Sequence, residues 1–255
     1  ADVAKVVGTP RSLKEARALL DLNALAPGRV SAFGMGPRGL PTRMLAGRFG
    51  AWAVYAAPDF GPAAAPGQIP VSEMLFPLRF REVTKKTALY GLIGVPLSSS
   101  PGPWAHTAAM RASGIDGLYL PLEAADEADA RCAAALFGLS GASVTRPFKA
   151  VLLDFPSELE EEAERAGALN TLEKLEKGWS GANTDVLALK RLLSRTAKGR
   201  KLKVGIVGRG GLAKAAREAA KASAITAYAS IATSESPKLY SKSPATRKPA
   251  MAARL

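Results

Sequence analysis

Short apolar runs rich in β-branched residues alternate with helical patterns along most of the chain. In the first eighty residues the runs DVAKVV, VSAFGMG and AWAVYAA are each followed by a helical pattern, in SLKEARALLDLNAL, PTRMLAGRFG and VSEMLFPLRF. Strands that alternate with helices at this spacing indicate a parallel sheet covered by helices. The sequence therefore predicts an α/β fold that begins with three βα units.

A second α/β series follows the polar stretch REVTKKT, residues 81–87. Its pattern predicts strands at 88–94, 117–123, 142–145 and 169–174 and helices at 103–113 and 125–137. After Thr145, PFKAVLLDF and SELEEEAERAG have helical patterns, and Pro147 suits the first turn of a helix because its missing N–H has no partner there. A third series combines a strand, a glycine turn and an Ala-rich helix in LKVGIVGRGGLAKAAREAAKAS, followed by a predicted strand in ITAYASIA.

These series divide the chain into four segments. They are βα units at 1–80, a larger α/β unit at 86–193, a strand–turn–helix unit at 194–232 and a basic tail at 233–255. The tail contains no acidic residue after Glu235, a composition typical of a solvated, irregular segment.

Composition narrows the class of protein. The chain has 255 residues, of which 47% are hydrophobic, and one cysteine, Cys132, so no intramolecular disulfide can form. No signal peptide is evident, and no segment approaches the roughly 18 apolar residues of a membrane span, so we expect a cytoplasmic protein without membrane contact. The acidic run 158–164 is interpreted as a solvated helix face, and no metal site is expected.

The formal net charge of +13 is compatible with nucleic acid or anionic metabolites as partners. No aromatic platform, zinc spacing or helix-turn-helix pattern accompanies the basic residues, which disfavours nucleic acid.

Four motifs occur in order over about a hundred residues: GVPLSSSPGPWAH at 94–106, VTRPFK at 144–149, GALNT at 167–171 and NTD at 183–185. Together they resemble shikimate dehydrogenase. The resemblance implies that Lys149 and Asp185 are the catalytic pair beside the substrate carbinol, since reducing a ketone requires a proton donor close to the oxygen. Taken alone, Lys149 could instead be a surface lysine whose stem covers apolar neighbours.

The same resemblance implies 3-dehydroshikimate and shikimate as substrates and NADP as cofactor. Ser100, Thr145 and Asn170 would bind the substrate, although Gly102 stands where the family usually has a second serine. His106, in the first motif, is interpreted as a surface or packed residue.

The glycine turn VGRGGLA would place Gly208, Gly210 and Gly211 against a pyrophosphate at a helix N-terminus. After the next strand the chain reads ASIA, 229–232, where the family has an arginine-containing stretch that holds the 2′-phosphate of NADP. We therefore expect weak cofactor binding with little preference for NADP over NAD.

The first eighty residues resemble the C-terminal part of type I 3-dehydroquinate dehydratase. The stretches ADVAKVVGTPRSL, VSAFGMGPRGLPTRMLAG and AAAPGQIP would carry the Schiff-base lysine, Lys5, and two residues for 3-dehydroquinate, Arg43 and Gln68. Lys5 is expected near the C-terminal end of its strand. That family also requires a histidine acid/base from an earlier strand, and the one histidine of this chain is His106, so we expect no dehydratase activity.

Three βα units cannot close an eight-stranded barrel, so the remainder is either lost or supplied by a partner chain. The leading hypothesis is a shikimate dehydrogenase carried on a fragment of a dehydratase–dehydrogenase fusion. Two alternatives stay open: an inactive remnant of that fusion, and a basic module that binds nucleic acid or acidic partners.

Overall fold

A computed structural model describes residues 2–198, 200, 202–223 and 226–230, the last range in its backbone. In these ranges the helices are α1 Leu13–Leu25, α2 Gly36–Met44, α3 Val71–Leu75, α4 Gly102–Ala112, α5 Glu127–Phe137, α6 Glu161–Ala166, α7 Thr184–Ala197 and α8 Gly211–Ala222. The strands are β1 Ala4–Gly8, β2 Val30–Gly34, β3 Ala88–Gly94, β4 Gly117–Glu123, β5 Gly141–Val144, β6 Glu158–Leu159, β7 Thr171–Lys174, β8 Trp179–Ala182, β9 Lys203–Val207 and β10 Thr226–Ser230.

Six of the strands form one sheet in the order β4, β3, β5, β7, β8, β6. β3 pairs in parallel with β4 and β5, whereas β7 is antiparallel to both β5 and β8. Two parallel pairs, β1 with β2 and β9 with β10, stand apart from this sheet. The predicted α/β class is confirmed. The sheet is mixed and not parallel throughout, because β7 and β8 form an antiparallel hairpin.

Side-chain caps fix the starts of three helices. Ser12, Asp126 and Asn183 accept hydrogen bonds from the backbone N–H three residues later, at the starts of α1, α5 and α7. Such caps satisfy N–H groups that have no partner within the helix. The start of α7 therefore follows from a local signal, the capping Asn183 directly before its first residue.

One hydrophobic core extends through the first two segments of the chain. Leu13 and Leu20 of α1 belong to the same buried cluster as Leu118 and Leu120 of β4. The buried carboxylate of Asp129, in α5, accepts hydrogen bonds from the backbone N–H of Leu13 at 3.0 and 2.9 Å. The βα units therefore pack as part of the same body as the six-stranded sheet.

The predicted strand in AWAVYAA is wrong. Residues 51–57 follow β2, but the N–H of Ala53 donates to the side chain of Ser31, and only Ala57 makes an isolated bridge, to Pro70. A hydroxyl acceptor replaces the backbone carbonyl there, so no regular ladder develops.

The predicted helix at Pro147 is also absent. Residues 146–154 form successive turns, in which the Leu152 N–H bonds four residues back while the Leu153 and Phe155 N–H groups bond three residues back. The hydrogen bonds change spacing within one turn, so a regular helix does not develop. Lys149 lies on this turn segment.

Most other predicted elements are present. The strands predicted at 88–94 and 117–123 match β3 and β4 in full, and the helix predicted at 125–137 begins two residues later. The sequence pattern did not predict β6, β8 and α7. The basic tail at 233–255 lies outside the described residues. Within the described ranges, no helix has both the length and the apolar character needed to cross a membrane.

Candidate active site

Lys149, on the turn segment after β5, and Asp185, in the first turn of α7, form an ion pair. The ammonium Nζ lies 2.6 Å from the carboxylate Oδ2, and the two side chains are 17% and 26% exposed. A hydrogen bond this short between charged groups is strong, and partial burial shields it from solvent. The structure therefore brings together the two residues that the sequence motifs single out.

Backbone contacts fix the position of each partner. The Lys149 carbonyl accepts a hydrogen bond from the Leu169 N–H at 2.8 Å, which joins its turn segment to the GALNT loop. On the other side, the buried Asn183 caps α7 and donates its amide to the Ala168 carbonyl at 2.7 Å. Asp185 lies in the first turn of that helix, so both partners are anchored to the same loop.

A cavity of about 670 Å3 opens beside the pair. Two segments of the chain line it. One is the turn after β5, with Thr145, Arg146 and Lys149, and the other is the turn between β9 and α8, with Arg209 and Gly211. The cavity therefore separates the second segment from the glycine turn and has the ammonium of the ion pair at its edge.

The glycine turn contacts Lys149 directly. A Cβ atom at Gly211 would lie 2.8 Å from Cδ and 2.9 Å from Cβ of Lys149, closer than real Cβ atoms come to neighbours. Only glycine fits there while the lysine stem keeps its place. Gly208 has a φ of +120°, a conformation suited to glycine, and a Cβ at Gly210 would meet open space.

Thr145 and Asn170 also lie near the pair. Thr145 lines the cavity and continues β5 through a hydrogen bond from its N–H to the Ile93 carbonyl. Asn170 Oδ1 accepts from the Thr184 N–H at 3.0 Å, and its amide donates to Thr184 Oγ1. Asn170 is thus held against the start of α7, next to Asp185.

Ser100 lies in a different cavity. It lines a space of about 90 Å3 together with Leu40 and Trp104 and with Glu123, whose buried carboxylate accepts from the Leu97 N–H. An anionic ligand in this small space would lie close to the Glu123 carboxylate. Ser100 therefore lines a different cavity from Lys149.

Two of the three site residues predicted in the first segment, Lys5 and Arg43, lie around Tyr55, whereas Gln68 bonds within its own loop. The ammonium of Lys5 lies 4.1 Å from the Tyr55 ring centre, and the side chain of Arg43, 1% exposed, donates to the carbonyls of Gly34 and Tyr55. Desolvation lowers the pKa of Arg43. The Gln68 side chain accepts from the Ala65 N–H.

The predicted position of Lys5 is wrong. It is the second residue of β1, not a residue near its C-terminal end, because the ladder with β2 continues to Gly8.

Three residues with roles in this arrangement were not singled out by sequence reasoning. Asn183 and Thr184 position Asp185 and Asn170, and the available signal was an asparagine, a common helix cap, at the start of the NTD motif. The third is Arg146, which lines the large cavity together with Arg209 of the glycine turn, and no sequence pattern brings these two residues to one cavity. In the described ranges, no group of three or more His, Cys, Asp or Glu side chains could hold a metal.

Comparison with known families divides the chain at the same place. Residues 1–85 match type I 3-dehydroquinase, and residues 92–172 match the substrate binding domain of shikimate dehydrogenase. The shikimate biosynthesis protein AroDE of Chlamydia pneumoniae is 30% identical over 218 residues, which cover 84% of this chain and 46% of that protein. A shikimate dehydrogenase (NADP(+)) of Anaeromyxobacter sp. (strain K) is 37% identical over 136 residues, covering 52% of this chain and 49% of that protein.

Among solved structures, shikimate dehydrogenase 1 of Peptoclostridium difficile superimposes with a TM-score of 0.51 at 30% identity, covering 60% of this chain and 58% of that one. The chain thus spans about half the length of the curated relatives described above. Its first part is similar to type I 3-dehydroquinase, and the part that follows is similar to the substrate binding domain of shikimate dehydrogenase.

Proposed function

We propose that this chain carries a shikimate dehydrogenase site that reduces 3-dehydroshikimate to shikimate with NADPH. The observation that carries the proposal is the 2.6 Å contact between Lys149 Nζ and Asp185 Oδ2 at the edge of a large cavity. A ketone reduction needs a proton donor within hydrogen-bond reach of the carbonyl oxygen, and an oriented ammonium meets that need. The named activity of the Anaeromyxobacter relative supports the same reaction.

The chain's own groups handle the proton. Lys149 donates one N–H proton to the carbonyl oxygen as the ketone carbon is reduced, which yields the hydroxyl group and a neutral amine. Asp185 holds the ammonium in position before transfer, and solvent reprotonates the amine afterwards. NADPH supplies the hydride when it is bound. General acid catalysis of this kind contributes about 10²–10⁴-fold to a rate.

The residues of the glycine turn fit the diphosphate of a dinucleotide. Gly210 directly precedes α8 and provides no side-chain cap, and the space where its Cβ would lie is open. The first N–H groups of such a helix favour an anion. The fit is weaker at the 2′-phosphate, because ASIA supplies no cation after β10.

Thr145 and Asn170 supply the substrate contacts in this proposal. Thr145 lines the cavity beside Lys149, and Asn170 lies against the helix start that carries Asp185. Their hydroxyl and amide groups suit a ligand that bears hydroxyls and a carboxylate. Ser100 would contribute only if the substrate extended into the second cavity, next to Glu123.

We further propose that the first segment does not turn over 3-dehydroquinate. The guanidinium of Arg43 already donates to two backbone carbonyls, and the one histidine of the chain, His106, stacks on Tyr119 in the second segment. Lys5 therefore lacks an acid/base partner of the kind that the dehydration requires. Across the described residues β1 has β2 as its one strand neighbour, so a chain that adds further strands would dock at the open β1 edge.

The assay that tests the proposal follows NADPH absorbance with purified chain and each candidate substrate. We expect oxidation that depends on 3-dehydroshikimate, with no product from 3-dehydroquinate and no Schiff base trapped by borohydride. Absence of any 3-dehydroshikimate-dependent oxidation would contradict the dehydrogenase assignment. Trapping followed by turnover of 3-dehydroquinate would contradict the account of Lys5.

A further inference from the structure

Two arginines from separate segments of the chain line the large cavity. Arg146 is the residue between Thr145 and Pro147 on the turn after β5, and Arg209 is the second residue of the glycine turn before α8. Both residues are exposed, and both line the same space of about 670 Å3. Each of the two segments therefore contributes one arginine to the lining of this cavity.

The charges around this cavity do not cancel. Among the described residues that line it, Arg146, Lys149 and Arg209 are cationic and none carries a carboxylate. Asp185 neutralises Lys149 at 2.6 Å, which leaves the two arginines unbalanced. Two positive charges beside the uncapped start of α8 suit a ligand with two negative charges.

We propose that Arg146 and Arg209 bind the diphosphate of a dinucleotide in this cavity. The identity of that ligand rests on the proposed function, whereas the anion site rests on the two arginines that line the cavity beside the uncapped start of α8. Guanidinium groups bind phosphate oxygens with two parallel hydrogen bonds, and such charge-assisted bonds are among the strongest in proteins.

This arrangement has a consequence for cofactor choice. The diphosphate is common to NADP and NAD, and the cations that contact it cannot distinguish the two. The stretch ASIA offers no cation for the 2′-phosphate. Most of the electrostatic affinity therefore comes from a group that both cofactors share, and the two should bind with similar strength.

Calorimetric titration of the full chain with ADP-ribose, NADPH and NADH tests the proposal without turnover. The variants are Arg146→Gln and Arg209→Gln, and the control is Arg195→Gln, which removes one positive charge from an exposed position. Arg195 is ten residues after Asp185 in α7, about 15 Å along the helix axis.

Each cavity variant should raise the Kd of all three ligands about tenfold, as expected for one charge-assisted contact. The affinity should also depend less on salt than in the unmodified chain, and Arg195→Gln should bind like the unmodified chain. Unchanged affinities in both cavity variants, or no ADP-ribose binding to the unmodified chain, would overturn the proposal. A loss confined to NADPH would instead assign the arginine to the 2′-phosphate and equally overturn it.

The two proposals fail separately. Lys149-dependent turnover with unchanged affinities in both arginine variants would leave the proposed function and remove the diphosphate contacts. Arginine-dependent binding of ADP-ribose without turnover would do the reverse.

Discussion

At the scale of single residues, the position of Lys149 depends on its contact with Gly211. The stem of the lysine fills the space in which a side chain at position 211 would lie. Its ammonium then meets Asp185, which the cap at Asn183 holds in the first turn of α7. The catalytic geometry thus depends on the absence of one methyl group as well as on two charged side chains.

Gly211→Ala should therefore displace Lys149 and lower turnover at least tenfold. The added Cβ would lie 2.8 Å from Lys149 Cδ, so either the stem or α8 must move. Overpacking of this kind costs about 1–3 kcal/mol of stability. Thermal unfolding and steady-state rates measure the two effects.

Gly205→Ala is the matched control, because a Cβ at that position in β9 meets nothing within 4 Å. It should leave turnover within about twofold of the unmodified chain. A Gly211→Ala variant as active as this control would show that the contact is irrelevant to the site.

The residue types of the site were more predictable than its shape. Lys149, Thr145, Asn170 and Asp185 follow from motifs in a fixed order, and the structure places them around one loop and one cavity edge. Ser100 belongs to the same set of motifs, yet it lines another cavity. A motif gives the order of residues along the chain, whereas tertiary packing decides into which space each side chain opens.

At the scale of elements, the strand–turn–helix unit of β9 and α8 limits the cofactor. It contains the glycine turn at Gly208 and Gly211 to which the proposed function assigns the diphosphate, and β10 adds one parallel neighbour to β9. A complete dinucleotide crevice needs strands on both sides of the point where the strand order reverses. Among the described residues, this sheet has two strands.

We therefore expect dissociation constants above the micromolar range for NADPH and NADH, within about fivefold of each other. Fluorescence titration of the reduced nicotinamide with purified chain measures both values directly. Submicromolar NADPH binding with strong discrimination against NADH would contradict the expectation that the β9–α8 unit binds both dinucleotides weakly.

Predictability also differed among elements. β3 and β4 are long, buried and parallel, so their apolar runs give a clear signal, and the prediction matched both in full. Residues 51–57 have a similar run but bond to the Ser31 side chain, and β6 has only two residues. Contacts with residues distant in the sequence decide whether such segments form strands, and a local sequence pattern carries no information on those contacts.

At the scale of the whole molecule, the first and second segments share one core. Leu13 and Leu20 belong to the same buried cluster as Leu118 and Leu120, and Asp129 accepts a hydrogen bond from the Leu13 N–H across the boundary. The indole N–H of Trp104 also donates to Glu73. We therefore expect the two segments to unfold in a single cooperative transition.

Asp129→Ala should lower the free energy of unfolding by about 2–3 kcal/mol, because it leaves the buried Leu13 N–H and the Ala125 N–H without their acceptor. Urea unfolding followed by tryptophan fluorescence and by circular dichroism measures this value and tests coincidence of the two signals.

The control is Glu127→Ala on the same helix, which removes an exposed pair with Arg131 and should cost less than about 1 kcal/mol. Two separate transitions, or equal losses in the two variants, would contradict a shared core.

The proposed reduction depends most on Lys149 and Asp185 acting as one unit. The decisive measurement is a double-mutant cycle of 3-dehydroshikimate reduction with Lys149→Met, Asp185→Asn and the double variant, with dinucleotide Kd measured in each. Each single variant should lower kcat about 10²–10⁴-fold with little change in Kd, and the double variant should lose no more than the worse single variant. Losses that multiply in the double variant, or single variants with unchanged kcat, would contradict the central claim.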